Sequence, residues 1–196
     1  MARNILPPSA DGFRLAPVER RHAPLFCFAL LTVSCALASF ALACATPFAA
    51  FAVVAAAMLP LRPALLVVTG AWLVNQAIGF GALHYPIDTS TMLWGLVIGA
   101  AALAATATAT VVLRVLPQSR TPLGTPFVLA LALVGAYAAY ELTLFAATPF
   151  LGGAAAFTAT IVARLGLLSA CWLIALVAVC EIVRLVNPRR RGHAVP

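Results

Sequence analysis

The chain is expected to be all-α, a polytopic membrane protein folded as a bundle of six transmembrane helices with both termini cytoplasmic. Three observations predict this. Hydrophobic residues make up 64% of the 196 and charged residues 9%, with a mean hydropathy of +1.06, far above the apolar share of a soluble domain. The apolar residues fall into six runs whose junctions carry prolines. Twelve arginines stand against five acids, with no lysine, and they cluster at the chain ends and in alternate breaks, the bias of cytoplasmic loops and not of a nucleic-acid surface.

Residues 1–23 read as a short polar cytoplasmic tail, with Pro7, Pro8, Asp11, Arg14, Glu19, Arg20 and Arg21. No small-residue cleavage pattern directly follows the first apolar run, so the first helix is expected to be retained and not removed as a signal peptide. The membrane domain covers residues 24–187. Its runs are Leu25 to Ala45, Phe48 to Leu59, Ala64 to Leu83, Met92 to Leu116, Phe127 to Phe145 and Ala154 to Val186. Each crossing needs about 20 apolar residues, so six exhaust the chain and leave no room for a separate soluble catalytic module. Residues 188–196 form a basic cytoplasmic tail around Arg189, Arg190 and Arg191.

The second run is short. About a dozen residues cover roughly 18 Å at helical rise, against a hydrocarbon core of about 30 Å, which suits either a re-entrant segment or a short or tilted span. Charge arbitrates between them. With all six runs crossing, Arg62, Arg114 and Arg120 join both termini on one side, and the breaks near Pro47, at 84–91 and at 148–153 fall on the other without one arginine. Small residues at four-residue spacing, Ala41, Ala45 and Ala49, and Gly95 with Gly99, permit close helix packing. The five cysteines, Cys27, Cys35, Cys44, Cys171 and Cys180, lie in apolar runs without a C-x-x-C pair and read as small buried hydrophobes.

Polar groups within the bilayer are costly and usually face the bundle interior. Here they gather toward the outer side. Asn75 and Gln76 lie in the outer half of the third run, followed by Gly79, Phe80 and Gly81, then His84, Tyr85, Pro86, Asp88 and Trp94. Glu141 and Arg164 both fall in the outer third of their helices and can meet there, as a helix-to-helix clamp or as ligand contacts in equal measure. Tyr137 and Tyr140 stand near Glu141 on the same helix. The outer ends of the third, fifth and sixth spans are thus expected to enclose an extracytoplasmic cavity for a bulky organic ligand. No second buried acid continues inward from Glu141 and no carboxylate ring is present, so a continuous ion path is not expected. His84 is the only histidine outside the basic tails. It reads either as an interfacial loop residue making an ordinary hydrogen bond, or as one axial ligand to a metal already held in a macrocycle.

Six helices, and Asn75-Gln76-x-x-Gly79-Phe80 leading into an outer Tyr85-Pro86 loop, resemble the substrate-binding S-components of energy-coupling-factor (ECF) transporters, and more particularly the small BtuM-type cobalamin transporters of the Gram-negative inner membrane. The likeness covers the whole chain in architecture and residues 72–95 in motif. It implies a periplasm-facing pocket that binds and imports vitamin B12 or a related corrinoid, the corrinoid being the cargo and not an intrinsic cofactor. In BtuM-type proteins a cysteine of the binding region ligates the cobalt. No cysteine lies between Cys44 and Cys171 here, so the resemblance leaves His84 as the nearby candidate for that axial position. The implied ligand contacts are Asn75, Gln76, Phe80, His84, Tyr85, Asp88, Trp94, Tyr137, Glu141 and Arg164. The lipid bilayer is one implied partner; S-components also dock to an ECF-type membrane subunit with its ATPases, with which Ala41 and Ala45 are compatible, whereas BtuM-type members are thought able to work without that module. No G-x-x-x-x-G-K-[ST] loop is present, so any ATP hydrolysis belongs to a partner chain.

Two functions of different kind follow from this reading. One is vitamin uptake. The other is a non-transport accessory subunit, packed within a larger membrane complex, whose polar residues only hold helices together. An enzyme is not expected, since H-E-x-x-H, G-x-S-x-G and an aspartate dyad are all missing from the sequence.

Overall fold

A computed structural model describes residues 15–42, 45–116 and 124–187. Six α-helices follow in order: α1 (Ala23–Leu42), α2 (Phe48–Met58), α3 (Leu61–Ala77), α4 (Thr89–Val115), α5 (Gly124–Leu151) and α6 (Ala159–Val186). A π-helical turn, Ile78–Ala82, extends α3, and a 3-10 turn, Ala154–Ala156, joins α5 to α6. No strand occurs among the described residues. Five of the helices are long and apolar enough to cross a bilayer, and α2, at 11 residues, is not. Arg120, Cys44 and the C-terminal arginine cluster lie outside the described residues.

The short second run is explained by where it sits. All 11 residues of α2 are buried, because α2 is the central post of the bundle and packs against α1, α3, α4, α5 and α6. Enclosed by protein, it meets no lipid and has no hydrocarbon thickness to match. Its composition follows: alanines let the neighbouring helices approach, and Phe48, Phe51, Val53 and Val54 fill the remaining space. The outer helices present Leu25, Leu66, Val134, Ile174 and Val186 outward instead, as lipid-facing surfaces require.

Hydrogen bonds fix the direction of α2. At one end, the backbone N–H of Leu15 donates to the carbonyl of Ala57 at 2.8 Å, so the last residues of the N-terminal tail dock on the end of α2, with Leu15 and Pro17 buried. At the other end, the Asn75 amide donates to the hydroxyls of Ser39 (2.9 Å) and Thr46 (3.0 Å). The outer part of α3 is thereby tied to the end of α1 and the start of α2. The three helices alternate in direction.

The outer helices form an arc. α1 packs on α3, α3 on α4, α4 on α5 and, more sparsely, α5 on α6. Between α1 and α6 lies a seam occupied by a cavity of about 720 Å³. Glycines set the close approach of α3 to α4: a methyl group on Gly95 would lie 2.5 Å from the Gln76 side chain, and one on Gly99 would lie 2.8 Å from the Trp72 indole. The expectation that Gly95 and Gly99 serve helix packing is met. Ala41 and Ala45 do otherwise, lining the seam cavity, while Ala49 is buried. Cys27, Cys35 and Cys180 are buried, but Cys171 is exposed and faces the seam, which corrects the reading of that cysteine as buried.

Candidate ligand cavity

The cavity at the heart of the bundle follows from the shortness of α2. Asn75 stands 14 residues after the start of α3, about 21 Å along it, and the chain then continues for about 10 Å through the π-helical turn. Because Thr46 is bonded to Asn75, α2 begins below the outer ends of its neighbours. Above that beginning is a space of about 310 Å³. Its floor is Ala45, Thr46, Phe48 and Ala49, and its walls are Trp94 and Ile98 of α4, Tyr137, Tyr140, Glu141 and Leu144 of α5, and Ile161, Leu165 and Ser169 of α6. The α5–α6 connection closes the top with Gly153, Ala156 and Phe157.

That connection is shaped by Gly152 and Gly153, with φ of 79° and 86°, a left-handed region that glycine enters without strain. The two glycines reverse the chain over the cavity, and Phe157 then packs edge-on against Phe145 with ring centroids 5.4 Å apart. On the floor, Phe48 stacks on Tyr140 at 6.4 Å and meets Phe51 edge-on at 5.8 Å. The Tyr137 hydroxyl donates to the carbonyl of Val162 at 2.6 Å, and its ring covers Gly166, pinning α5 to α6 beside the cavity.

Glu141 is the acidic group of this cavity. Its Oε1 atom is buried and has no hydrogen-bond partner among the described residues. Arg164 does not supply one. The α6 face carrying Ile161 and Leu165 looks into the central cavity, whereas Arg164 is exposed and lines the seam. The expected meeting of Glu141 with Arg164 is therefore corrected: at about 100° per residue Arg164 stands about 60° round α6 from Ile161 and about 100° from Leu165, enough to turn it from the central cavity into the adjoining seam. The two cavities adjoin, sharing Ala45, Ile161 and Leu165.

Of the residues singled out by sequence, Trp94, Tyr137, Tyr140 and Glu141 come together in the central cavity, and Arg164 lines its neighbour. The others lie elsewhere. Asn75 is engaged by Ser39 and Thr46 and accepts from the Gln76 amide at 3.2 Å. Gln76 packs on Gly95. Phe80 and Tyr85 meet edge-on at 6.4 Å, and the Tyr85 ring covers Gly79 so closely that a methyl group there would lie 2.8 Å from it. Asp88 caps α4, accepting from the Thr91 N–H at 2.8 Å and the Thr91 hydroxyl at 3.2 Å. His84 is exposed in the turn, with φ of 53°, and lines neither cavity. Residues 72–95 thus build the α3–α4 reversal. Among the described residues no group of three potential metal ligands converges.

Phe48, Phe157 and Ser169 belong to the cavity and were not anticipated from sequence. Phe48 was legible in one respect, as the first residue of a run too short to reach the outer surface. Comparison with protein-family models, curated proteins and solved structures gives no match.

Proposed function

We propose that this chain is a multi-pass protein of the bacterial inner membrane that binds a small organic solute and takes part in its uptake. In this reading both termini are cytoplasmic and the central cavity lies toward the periplasm. Arg62, Arg114 and Arg184 all stand at the helix ends remote from the cavity, which supports that orientation. The observation that carries the proposal is the 310 Å³ space over the start of α2, walled by aromatic rings and holding one unpartnered carboxylate oxygen. Small-molecule sites are concave and mostly apolar, with a few convergent polar groups. A space of this kind inside a membrane bundle suits solute binding better than helix clamping.

The resemblance to S-components supports a vitamin-sized ligand, and a corrinoid is the member of that class it names. The geometry favours a more compact solute. A corrin ring with its side chains greatly exceeds the central cavity, so cobalamin would have to extend across Ala45 and Leu165 into the seam, and His84 would approach its cobalt only from outside both spaces. The test is thermal unfolding of the purified chain with a panel of vitamins, cobalamin included, with absorption spectra recorded for the corrinoid. A ligand that raises the unfolding midpoint, and fails to do so in Ala49→Leu, supports the site. If no solute stabilises the chain and Ala49→Leu behaves as wild type, the proposal is wrong.

The seam favours a second reading, an accessory subunit, because a partner helix laid between α1 and α6 would complete the arc. Stable co-purification with a larger complex, without solute binding, would decide for it.

A further inference from the structure

Resting on the central cavity as a solute site, we propose that its ligand is a compact organic cation, a substituted ammonium. The polar groups of the cavity lead to this charge. The Thr46 hydroxyl accepts from Asn75, and the Tyr137 hydroxyl donates to Val162, so both are engaged within the protein. Glu141 Oε1 is left buried and without a hydrogen-bond partner among the described residues, although the Tyr137 side chain lies beside the same carboxyl group. Among the described residues no arginine or histidine lines the space. A buried carboxylate is costly, and a ligand that brings positive charge offsets part of that cost by Coulombic attraction, whereas an anionic ligand compounds it.

The walls point the same way. Trp94, Tyr137, Tyr140, Phe48 and Phe157 line the same cavity as Glu141, and aromatic faces attract ammonium groups, more strongly where water is excluded. One opposing field is present. The N-terminus of α2 lies at the cavity floor, and a helix start carries about half a positive charge. That fraction offsets only part of a full carboxylate charge and supplies no counter-ion. Arg164 supplies none either, since it faces the adjoining seam and pairs with no acid among the described residues.

The experiment uses the full chain in detergent and follows thermal unfolding and tryptophan fluorescence, to which Trp94 contributes from the cavity wall. The probes are choline, benzyltrimethylammonium and the uncharged tert-butyl analogue of choline. The cations should bind at least tenfold more tightly than the neutral analogue, and Glu141→Gln, which keeps the side-chain shape, should lose at least tenfold in cation affinity. Equal binding of choline and its neutral analogue, or undiminished cation binding by Glu141→Gln, overturns the cation assignment and leaves the solute site standing. No response to either class by folded wild-type protein overturns the assignment and removes support from the solute site as well. Should Glu141→Gln fail to fold, the charged and neutral probes on the wild-type chain still decide.

Discussion

Replacing Asn75 by alanine separates a structural role from a ligand-binding one. Asn75 donates to Ser39 and Thr46 and accepts from Gln76, at 2.9, 3.0 and 3.2 Å. Side-chain hydrogen bonds between helices in membranes average about 0.6 kcal/mol each, so losing three should cost about 2 kcal/mol. The Ser39 hydroxyl, buried and left with only its long sulfur contact to Cys35 at 4.0 Å, keeps the effect near that figure. Stability of Asn75→Ala against wild type, measured by reversible unfolding in mixed micelles, reads the loss directly. A double-mutant cycle with Thr46→Val should show coupling of about 0.5–1 kcal/mol, since that pair shares one bond. The start of α2 would be loosened, so any solute affinity should fall with the stability. An Asn75→Ala chain as stable as wild type, with affinity alone reduced, would refute the tie and restore Asn75 as a ligand contact.

Gly79→Ala places a methyl group 2.8 Å from the Tyr85 ring and should destabilise by about 1–3 kcal/mol, with partial rescue by Tyr85→Ala; the thermal midpoints of the three variants check it. Asp88→Ala removes the cap that holds the Thr91 N–H and should cost about 1 kcal/mol, recoverable by Asp88→Asn in the same melt. In a Cys44→Ser background, a lipid-permeant maleimide should label exposed Cys171 well ahead of buried Cys27, Cys35 and Cys180; equal rates at all four would contradict the seam.

The helices were legible because apolar runs mark them to within about six residues at each end, although Pro63, Pro126 and Pro149, read as junctions, lie within α3 and α5. The third run was expected from Ala64 to Leu83 and forms from Leu61 to Ala82, π-helical turn included; the sixth, expected from Ala154, begins at Ala159 after the 3-10 turn. The brevity of the second run was also readable, but not its cause. Hydropathy records that Phe48 to Leu59 is apolar and is silent on whether lipid or protein surrounds it. The polar stretch from Asn75 to Trp94 misled for a related reason. Amides and hydroxyls are costly in a bilayer wherever they lie, so their clustering does not distinguish a turn that satisfies its own bonds from a site that awaits a ligand. Only the partners of Asn75, Gln76 and Asp88 make that distinction: Ser39 and Thr46 are distant in sequence, Gly95 stands on the next helix, and Thr91 is a local cap partner.

Glu141 and Arg164 show how far depth alone carries an argument. Residue counting places both in the outer third of the bundle, and opposite charges at equal depth in a low-dielectric medium attract strongly. Pairing nevertheless depends on helical phase. Rotating α6 to bring Arg164 toward Glu141 would carry Ile161 and Leu165 away from the central cavity and release the Tyr137 hydroxyl from Val162. It would also turn apolar surface of α6 that now meets α2 toward lipid. The burial of Leu173, Leu176 and Cys180 at the inner end fixes the phase of the whole helix, since an α-helix rotates as a unit. Packing at one end of α6 thus keeps the Glu141 and Arg164 side chains apart at the other, and that separation is what leaves Glu141 without an ion-pair partner among the described residues.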